Sequence, residues 1–445
     1  MRDLLLLLVV LWGLSKVFSR PYIGAYLWTW ISLMNPHKLT YGFAHSFPFA
    51  QLVAGITLVG LVTGKQNKLN IWSRESVVLL LLIGWVCFTT LFAVNPEGAL
   101  KELDRFIKIQ IFIFLILALV SDKQKLDWFI WVVALSIGYY GIKGGLFTIA
   151  TGGSARVWGP EESFIAGNNE IALALLMVIP LMRYLQLQAD NKWVKRGLLA
   201  SMLLCAVAVL GSQSRGAFLG IAAIGLFFWW KSKQKLAATV IVGIVAAAVM
   251  FFMPQTWWDH MNTIQTYDED ASAMGRINAW WVAFRMANDS LTGGGANMFI
   301  PEVFQKYAPV PEDVHDVHSI YFEMMGEQGW IGLALFLTLA GMTWLRCSAL
   351  SHKRFAKDPE TKWLHDLAPM LQVAMIGYFV SGAFLGLSYF DLYYDLVAIT
   401  IIAAKLGAQY GKAPLSPPPL AGRQGGPTHG GGEGNASRPT TAQRF

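Results

Sequence analysis

Apolar runs of roughly 15 to 25 residues recur from the N-terminus to about Gly411, most of them separated by short polar intervals. As helix, at about 1.5 Å per residue, such a run covers much or all of a hydrocarbon core about 30 Å thick. The pattern predicts spans near 4–18, 22–34, 44–63, 76–93, 105–121, 126–150, 168–187, 197–211, 215–231, 236–253, 319–346, 367–389 and 391–410. The expected fold is an all-α polytopic integral membrane protein with about 12 to 14 transmembrane helices. The first run, Leu4 to Leu14, has the look of a signal-peptide core, but no small-residue cleavage site follows it and it reads as a retained helix. One interval breaks the rhythm: Met253 to Gly329 is long and polar, and within it the stretch around Gly275 to Trp281 has the apolar pattern of an amphipathic helix lying along a membrane surface.

The chain therefore divides into an N-terminal transmembrane bundle over 1–253, a large loop with amphipathic helices over 254–318, C-terminal transmembrane helices over 319–410 and a tail over 411–445. The Pro- and Gly-rich tail carries too little apolar surface to offset ordering entropy, and a disordered cytoplasmic segment is expected there.

Charge assigns the intervals to sides. Lys65, Lys68 and Arg74 fall in one, Lys123 and Lys125 in a second, and Arg183, Lys192, Lys195 and Arg196 in a third. Lys231, Lys233 and Lys235 fall in a fourth, and Arg346, Lys353, Arg354, Lys357 and Lys362 in a fifth. The positive-inside rule puts these in the cytoplasm, so that 94–104, 151–167, 211–215 and the long loop face outward. The loop's acidic residues, among them Asp268, Glu269, Asp270, Asp313 and Asp316, outnumber Arg276, Arg285 and Lys306, in agreement with that address.

Composition sharpens the class. A hydrophobic fraction of 55% against 14% charged, with mean hydropathy +0.45, excludes an ordinary soluble domain. The net charge of +7 does not mark a nucleic-acid binder, because the basic residues sit in short intervals between apolar runs rather than on one soluble face. Cys87, Cys205 and Cys347 lie in or at the ends of apolar runs without Cys-x-x-Cys spacing and imply neither a disulfide framework nor a metal site.

Four clusters fall on the outward side. Ser212-Gln213-Ser214-Arg215-Gly216 forms a tight turn between two spans; an arginine there is either a snorkelling interfacial residue or an anion clamp whose planar fork matches phosphate oxygens. Arg156-Val157-Trp158-Gly159-Pro160 precedes Gly167-Asn168-Asn169-Glu170, where Arg156 can bind the same anion. Asn168 and Asn169 can cap the following helix or donate to a sugar hydroxyl. In Gly275-Arg276-Ile277-Asn278-Ala279-Trp280-Trp281 the tryptophans suit an interface anchor, while Arg276 is a rare cation in an acidic segment. Val314-His315-Asp316-Val317-His318-Ser319 offers two histidines three apart; they can hold a metal, though the zinc-peptidase HExxH pattern is absent, or supply a general base with a pKa near ambient pH.

These parts suit one chemistry. A lipid-linked diphosphate carries charge that arginines can hold, and it leaves readily once that charge is stabilised. The paired carboxylates of a glycosidase, which protonate a poor alkoxide leaving group, are then unnecessary. One histidine to deprotonate an attacking hydroxyl completes the set. A rival from another class is a flippase or exporter that binds lipid-linked glycan without reacting; it predicts many polar residues deep in the spans, where Asp391 and Asp395 are the main examples.

At these residues the chain resembles the O-antigen ligase superfamily, which includes lipopolysaccharide O-antigen ligases, O-antigen polymerases and protein O-oligosaccharyltransferases. The matching features are Ser214-Arg215-Gly216, Gly167-Asn168-Asn169, Gly275-Arg276 with Trp280, Gly293 to Gly295 before Asn297-Met298-Phe299, and His318-Ser319 leading to Glu327-Gln328-Gly329-Trp330-Ile331-Gly332. The run from Trp28 to His37 is similar to the exosortase-associated O-glycosylation ligase branch. The resemblance implies a metal-independent, cofactor-free inverting transfer from an undecaprenyl diphosphate-linked glycan at the periplasmic face of the bacterial inner membrane. The implied acceptor is lipid A core, or a glycan or protein hydroxyl, with membrane lipids as neighbours and no nucleic acid. It makes His318 the base and Arg215, Arg276 and Arg156 the diphosphate ligands, with Asn168, Asn169, Ser214, Trp280 and His315 as substrate-contacting candidates. The family's Gly-Asn-Pro-Asn pattern reads here as Gly167-Asn168-Asn169-Glu170, without the proline.

Overall fold

The computed structural model describes residues 1–63, 70–231 and 271–409, with Lys235, Leu236, Thr239 and Gly243 between the last two stretches. The tail over 411–445, the long loop as far as Asp270, nearly all of the span expected at 236–253, and Lys65, Lys68 and Lys233 lie outside the described residues. Among the described residues the chain is helical and has no strand. The helices are α1 (Arg2–Val17), α2 (Tyr22–Met34), α3 (Phe49–Thr63), α4 (Arg74–Thr90), α5 (Pro96–Leu119), α6 (Lys123–Ala150), α7 (Asn168–Gln188), α8 (Lys192–Gly211), α9 (Arg215–Lys231), α10 (Ala271–Asp289), α11 (Pro301–Tyr307), α12 (Ile320–Leu350), α13 (Lys353–Ala356), α14 (Lys362–Ser381) and α15 (Asp391–Gln409). Every span predicted within these residues falls on a helix.

Five of the described helices, α6, α7, α8, α12 and α14, are long and apolar enough to cross a membrane, and α3 and most of α9 are shorter apolar helices. The protein is an all-α polytopic membrane protein. Its interior is built around α7 and α15, whose side chains are buried nearly all round; a helix apolar on every face needs such a position. The outer helices instead expose large apolar side chains, such as Leu5, Leu81, Leu203 and Leu226, each more than half exposed. Apolar surface on that scale is the lipid-facing side of a membrane protein.

At three places the structure departs from expectation for a local reason. The interval 94–104 is helical from Pro96, because Asn95 caps that end by accepting the Gly98 N–H at 3.1 Å and proline suits a first helical turn. The span expected over 367–389 stops at Ser381, passes through a short 3-10 turn over Gly382–Phe384 and runs on as a loop to Phe390; the apolar composition of this stretch hides the break. Arg346 is not in a loop: it lies inside α12, buried, with its guanidinium 2.8 Å from the buried Glu75 carboxylate of α4. Pairing satisfies both charges and ties the two helices together.

The run from Trp28 to His37 joins α2 to its neighbours. Trp28 stacks on Phe112 of α5 with ring centroids 3.8 Å apart, the Met34 carbonyl accepts from Tyr140 of α6 at 2.6 Å, and Ser32 donates to Asp391 of α15. Asp391 thus has a partner on a neighbouring helix.

Helix α12 is broken within its apolar length. Gly329 has φ 65° and ψ −175°, a conformation open to glycine, and a Cβ there would lie 2.4 Å from the Leu291 carbonyl oxygen. The break frees carbonyls, which in an apolar setting need donors. Gly294 and Gly295 donate their N–H groups to the carbonyls of Gly326 and Glu327 at 2.9 Å each, and the Trp85 indole donates to that of Gln328 at 2.7 Å. The Gly293-Gly294-Gly295 turn is therefore the piece that seats the break, and Gly293, at φ 66°, passes so close to Gly326 that a side chain would not fit.

Candidate active site

Helix termini and loops at one end of the bundle enclose a cavity of about 170 Å³ lined by Arg156, Asn168, Asn169, Gln213, Ser214, Arg215, Gly216, Arg276, Phe384 and Leu385. Its three arginines come from three separate elements: the loop before α7, the first residue of α9 and the second turn of α10. The turn between α8 and α9 organises the wall. Gln213 takes a left-handed conformation, φ 56°, and its carbonyl oxygen Oε1 accepts from Arg156 Nε at 3.1 Å while its Nε2 donates to the Gly153 carbonyl at 3.2 Å. Ser214 caps α9 by accepting the Ala217 N–H at 3.2 Å, and Asn168 donates to the Ser212 carbonyl at 2.8 Å. The backbone thus holds Arg215 at the start of a helix, where partial positive charge adds to that of the guanidinium.

Helix α10 carries Arg276 and fixes the segment leading to His318. Asn278 donates to the carbonyls of Val310 and Asp313 at 2.8 and 2.9 Å and accepts the Val310 N–H at 3.0 Å. One half-turn on, the Trp280 indole donates to the Val317 carbonyl at 2.8 Å and stacks on Phe322 with ring centroids 4.8 Å apart. A Cβ on Gly275 would collide with the ring of His315, so the glycine makes room for it. The Gly-Arg-x-Asn-x-Trp spacing is in this way a clamp, with one residue type for each contact.

His318 is half-buried and has φ 41°, so its backbone is left-handed and its ring is turned by the clamped segment rather than by a helix. Its Nδ1 lies 3.6 Å from Asp316 Oδ2. Burial lowers its pKa below the ordinary histidine value; Asp316 raises it, Arg276 lowers it, Glu170 raises it and His315 lowers it, for a net downward shift. The neutral imidazole is therefore favoured. His315 points elsewhere, with Nδ1 2.7 Å from Asp313 Oδ1. Among the described residues no three His, Cys, Asp or Glu side chains are grouped to hold a metal ion.

A second cavity, of about 950 Å³, adjoins the first. The two are lined by sequence neighbours, Gly167 beside Asn168 and Gly386 beside Leu385, and Asp316, on the Nδ1 side of His318, lines the larger one. Its floor is the broken part of α12. Glu323 accepts the Ser388 N–H at 2.8 Å; Glu327 accepts the Asn297 N–H and the Tyr389 hydroxyl, each at 2.7 Å; and Gln328 donates to Tyr389 at 2.9 Å while accepting from Thr89.

The structure thus gathers Arg156, Arg215, Arg276, Asn168, Asn169 and Ser214 around one cavity, with His318 within electrostatic reach of Arg276. His315 lines the second cavity; His318 and Trp280 line neither, and Trp280 holds the backbone next to His318. Gln213, Glu323 and Tyr389 were not singled out from sequence. Gln213 sits between two serines in a quoted motif, and its left-handed geometry has no strong sequence mark; Tyr389 lies in a stretch that reads as the end of a span.

Residues 200–337, which contain Arg215, Arg276 and His318, match the family described as O-antigen ligase. Residues 1–189, which contain Arg156, Asn168 and Asn169, match a family of unknown function. A search of curated proteins gives no match. Residues 200–337, which carry two of the three arginines and the histidine, are thus a domain of the O-antigen ligase superfamily.

Proposed function

We propose that the protein transfers a glycan from undecaprenyl diphosphate to a hydroxyl acceptor at the periplasmic face of the bacterial inner membrane, with the lipid A core oligosaccharide as acceptor. The observation that carries this reading is the convergence of Arg156, Arg215 and Arg276 on one cavity beside His318. Guanidinium groups offer paired donors to diphosphate oxygens, and in a partly buried site their charge is weakly screened. In the proposed step the acceptor oxygen attacks the anomeric carbon and its proton passes to His318. The bond from that carbon to the diphosphate breaks on the opposite face, its electron pair leaving with the diphosphate, and configuration inverts. The depressed His318 pKa keeps the imidazole neutral, as a base requires. Asp316 lies on the Nδ1 side of the ring, which leaves Nε2 as the nitrogen for the acceptor. The same chemistry with a growing glycan or a Ser/Thr hydroxyl differs in the acceptor alone.

The test is to reconstitute the purified protein with a lipid-linked glycan and a panel of acceptors. Covalent product is expected, also in the presence of a chelator. Movement of donor between leaflets without product would favour a transporter and overturn the reading.

A further inference from the structure

The loop over 385–390, between α14 and α15, is buried at every residue except Gly386, whereas loops ordinarily run over a surface where water meets their backbone. Buried backbone groups need dedicated partners. Here the hydroxyls of Tyr378 in α14 and Tyr394 in α15 donate to the carbonyls of Leu387 and Ser388 at 2.8 and 2.9 Å, and Glu323 of α12 accepts the Ser388 N–H at 2.8 Å. Tyr389 adds a second tie to α12 through Glu327. Three helices therefore fix this loop, and it lines both cavities: Leu385 the smaller, Gly386, Leu387 and Tyr389 the larger.

The residue it turns toward His318 is the glycine. A Cβ on Gly386 would lie 3.2 Å from Glu323 Oε1 and 3.4 Å from Asp316 Oδ2, the oxygen that stands 3.6 Å from His318 Nδ1. The other Asp316 oxygen, Oδ1, accepts the Val317 N–H at 2.8 Å, so the carboxylate is tied on one side and meets the loop on the other. Gly386 is outside the left-handed region, and its backbone would accept a side chain; the space is what is lacking. We propose that Gly386 is a positioning residue: the fixed loop sets where the Asp316 carboxylate stands relative to His318 Nδ1, and the glycine leaves that place free. This rests on the transferase reading above, in which His318 takes the proton of the acceptor.

The groups acting on His318 are Asp316, Arg276, Glu170 and His315, and Asp316 in turn faces Glu323. Of these, Asp316 and Glu323 supply the atoms nearest to a Cβ on Gly386. Glu323 is held by Ser388, whereas Asp316 is exposed to the cavity it lines and has room to shift. An added methyl group thus moves the carboxylate that faces the imidazole.

The experiment uses the full chain in lipid nanodiscs and follows transfer from a lipid-linked glycan against pH, with the acceptor that gives most product. Gly386→Ala and Gly386→Val are each made in the wild-type chain and in Asp316→Ala. With Asp316 present, kcat should fall about threefold to tenfold for alanine and further for valine, and the acid limb should move by at least about 0.3 pH unit, with donor KM unchanged within about twofold. In Asp316→Ala the same substitutions should leave the acid limb in place and change kcat by less than about twofold. Glu323 meets the added Cβ in either background, so an effect of packing alone appears equally in both. If the valine protein is not recovered folded, alanine in the two backgrounds decides the matter. Equal losses of kcat in both backgrounds, or an acid limb unmoved by Gly386→Ala while Asp316 is present, would overturn the positioning role and leave the transferase reading standing. Absence of product from the wild-type chain with every acceptor, while it still binds the donor, would overturn both.

Discussion

The two cavities near His318 differ in the chemistry of their linings and in construction. The smaller one is basic and is assembled at helix termini and loops: Arg156 is exposed and Arg215 and Arg276 are half-buried, held by the Ser212–Ser214 turn and the start of α10. The larger one mixes carboxyl groups with Lys101, Arg105 and aromatic rings and reaches into the bundle, where Glu323 and Glu327 sit on consecutive turns of the broken helix α12, each held by a backbone N–H. Charges at a rim can meet and release a large anionic headgroup; carboxyl groups on a rigid floor can discriminate among small groups. The difference teaches that the histidine, which lines neither, need not provide binding energy to either partner. It has only to receive a proton.

The most severe way to break the comparison is to empty the basic side. Arg215→Ala with Arg276→Ala removes two charge-assisted contacts of about 1.5–3 kcal/mol each, so donor affinity should fall by about two to four orders of magnitude. Binding of lipid-linked diphosphate to the variant in nanodiscs checks this, and an affinity within threefold of wild type would contradict it. Removing the proposed base is next: His318→Ala should lower kcat by about 10²–10⁴ with donor affinity retained, read by single-turnover transfer. Wild-type turnover would remove His318 from the chemistry.

A pH profile sharpens the contrast, because one neighbour from each cavity acts on the same imidazole with opposite sign. Asp316 raises the His318 pKa and Arg276 lowers it. Since the neutral ring is the active form, activity is lost as pH falls through that pKa. Asp316→Asn should therefore move the acid limb of kcat/KM to lower pH, and Arg276→Gln should move it to higher pH, each by about one unit or less. Shifts of the same sign would contradict the placement. The smallest effect is expected for Trp280→Phe, which keeps the stack on Phe322 but loses the bond to the Val317 carbonyl. A loss of about 0.5–1.5 kcal/mol, or roughly twofold to tenfold in kcat with donor KM unchanged, should follow.

Much of this was legible in the sequence, and the limit is physical. Apolar runs marked the helices because lipid demands both length and internal hydrogen bonding. Arg156, Arg215 and Arg276 could be placed on one side by loop charge, and the structure brings them to one cavity. The larger cavity was not legible. Glu327 and Gln328 stand in a motif that could be read, but their partners Asn297, Tyr389 and Thr89 come from distant segments, and the break at Gly329 depends on a glycine turn more than thirty residues earlier. Periodicity reports what a residue faces along its own helix, not which carbonyl another chain segment will satisfy. Trp280 shows the same limit: its aromatic ring suggested an interface anchor or substrate contact, whereas its N–H pins the backbone next to His318.

The central claim, that the arginine-lined cavity holds the diphosphate and presents the first sugar to His318, is tested most directly by determining the structure of the protein in nanodiscs with a lipid-linked glycan bound. The account predicts diphosphate oxygens within hydrogen-bond distance of Arg215 and Arg276, and the first sugar directed toward His318. A diphosphate bound away from these arginines, or a glycan whose anomeric carbon lies out of reach of His318, would contradict it.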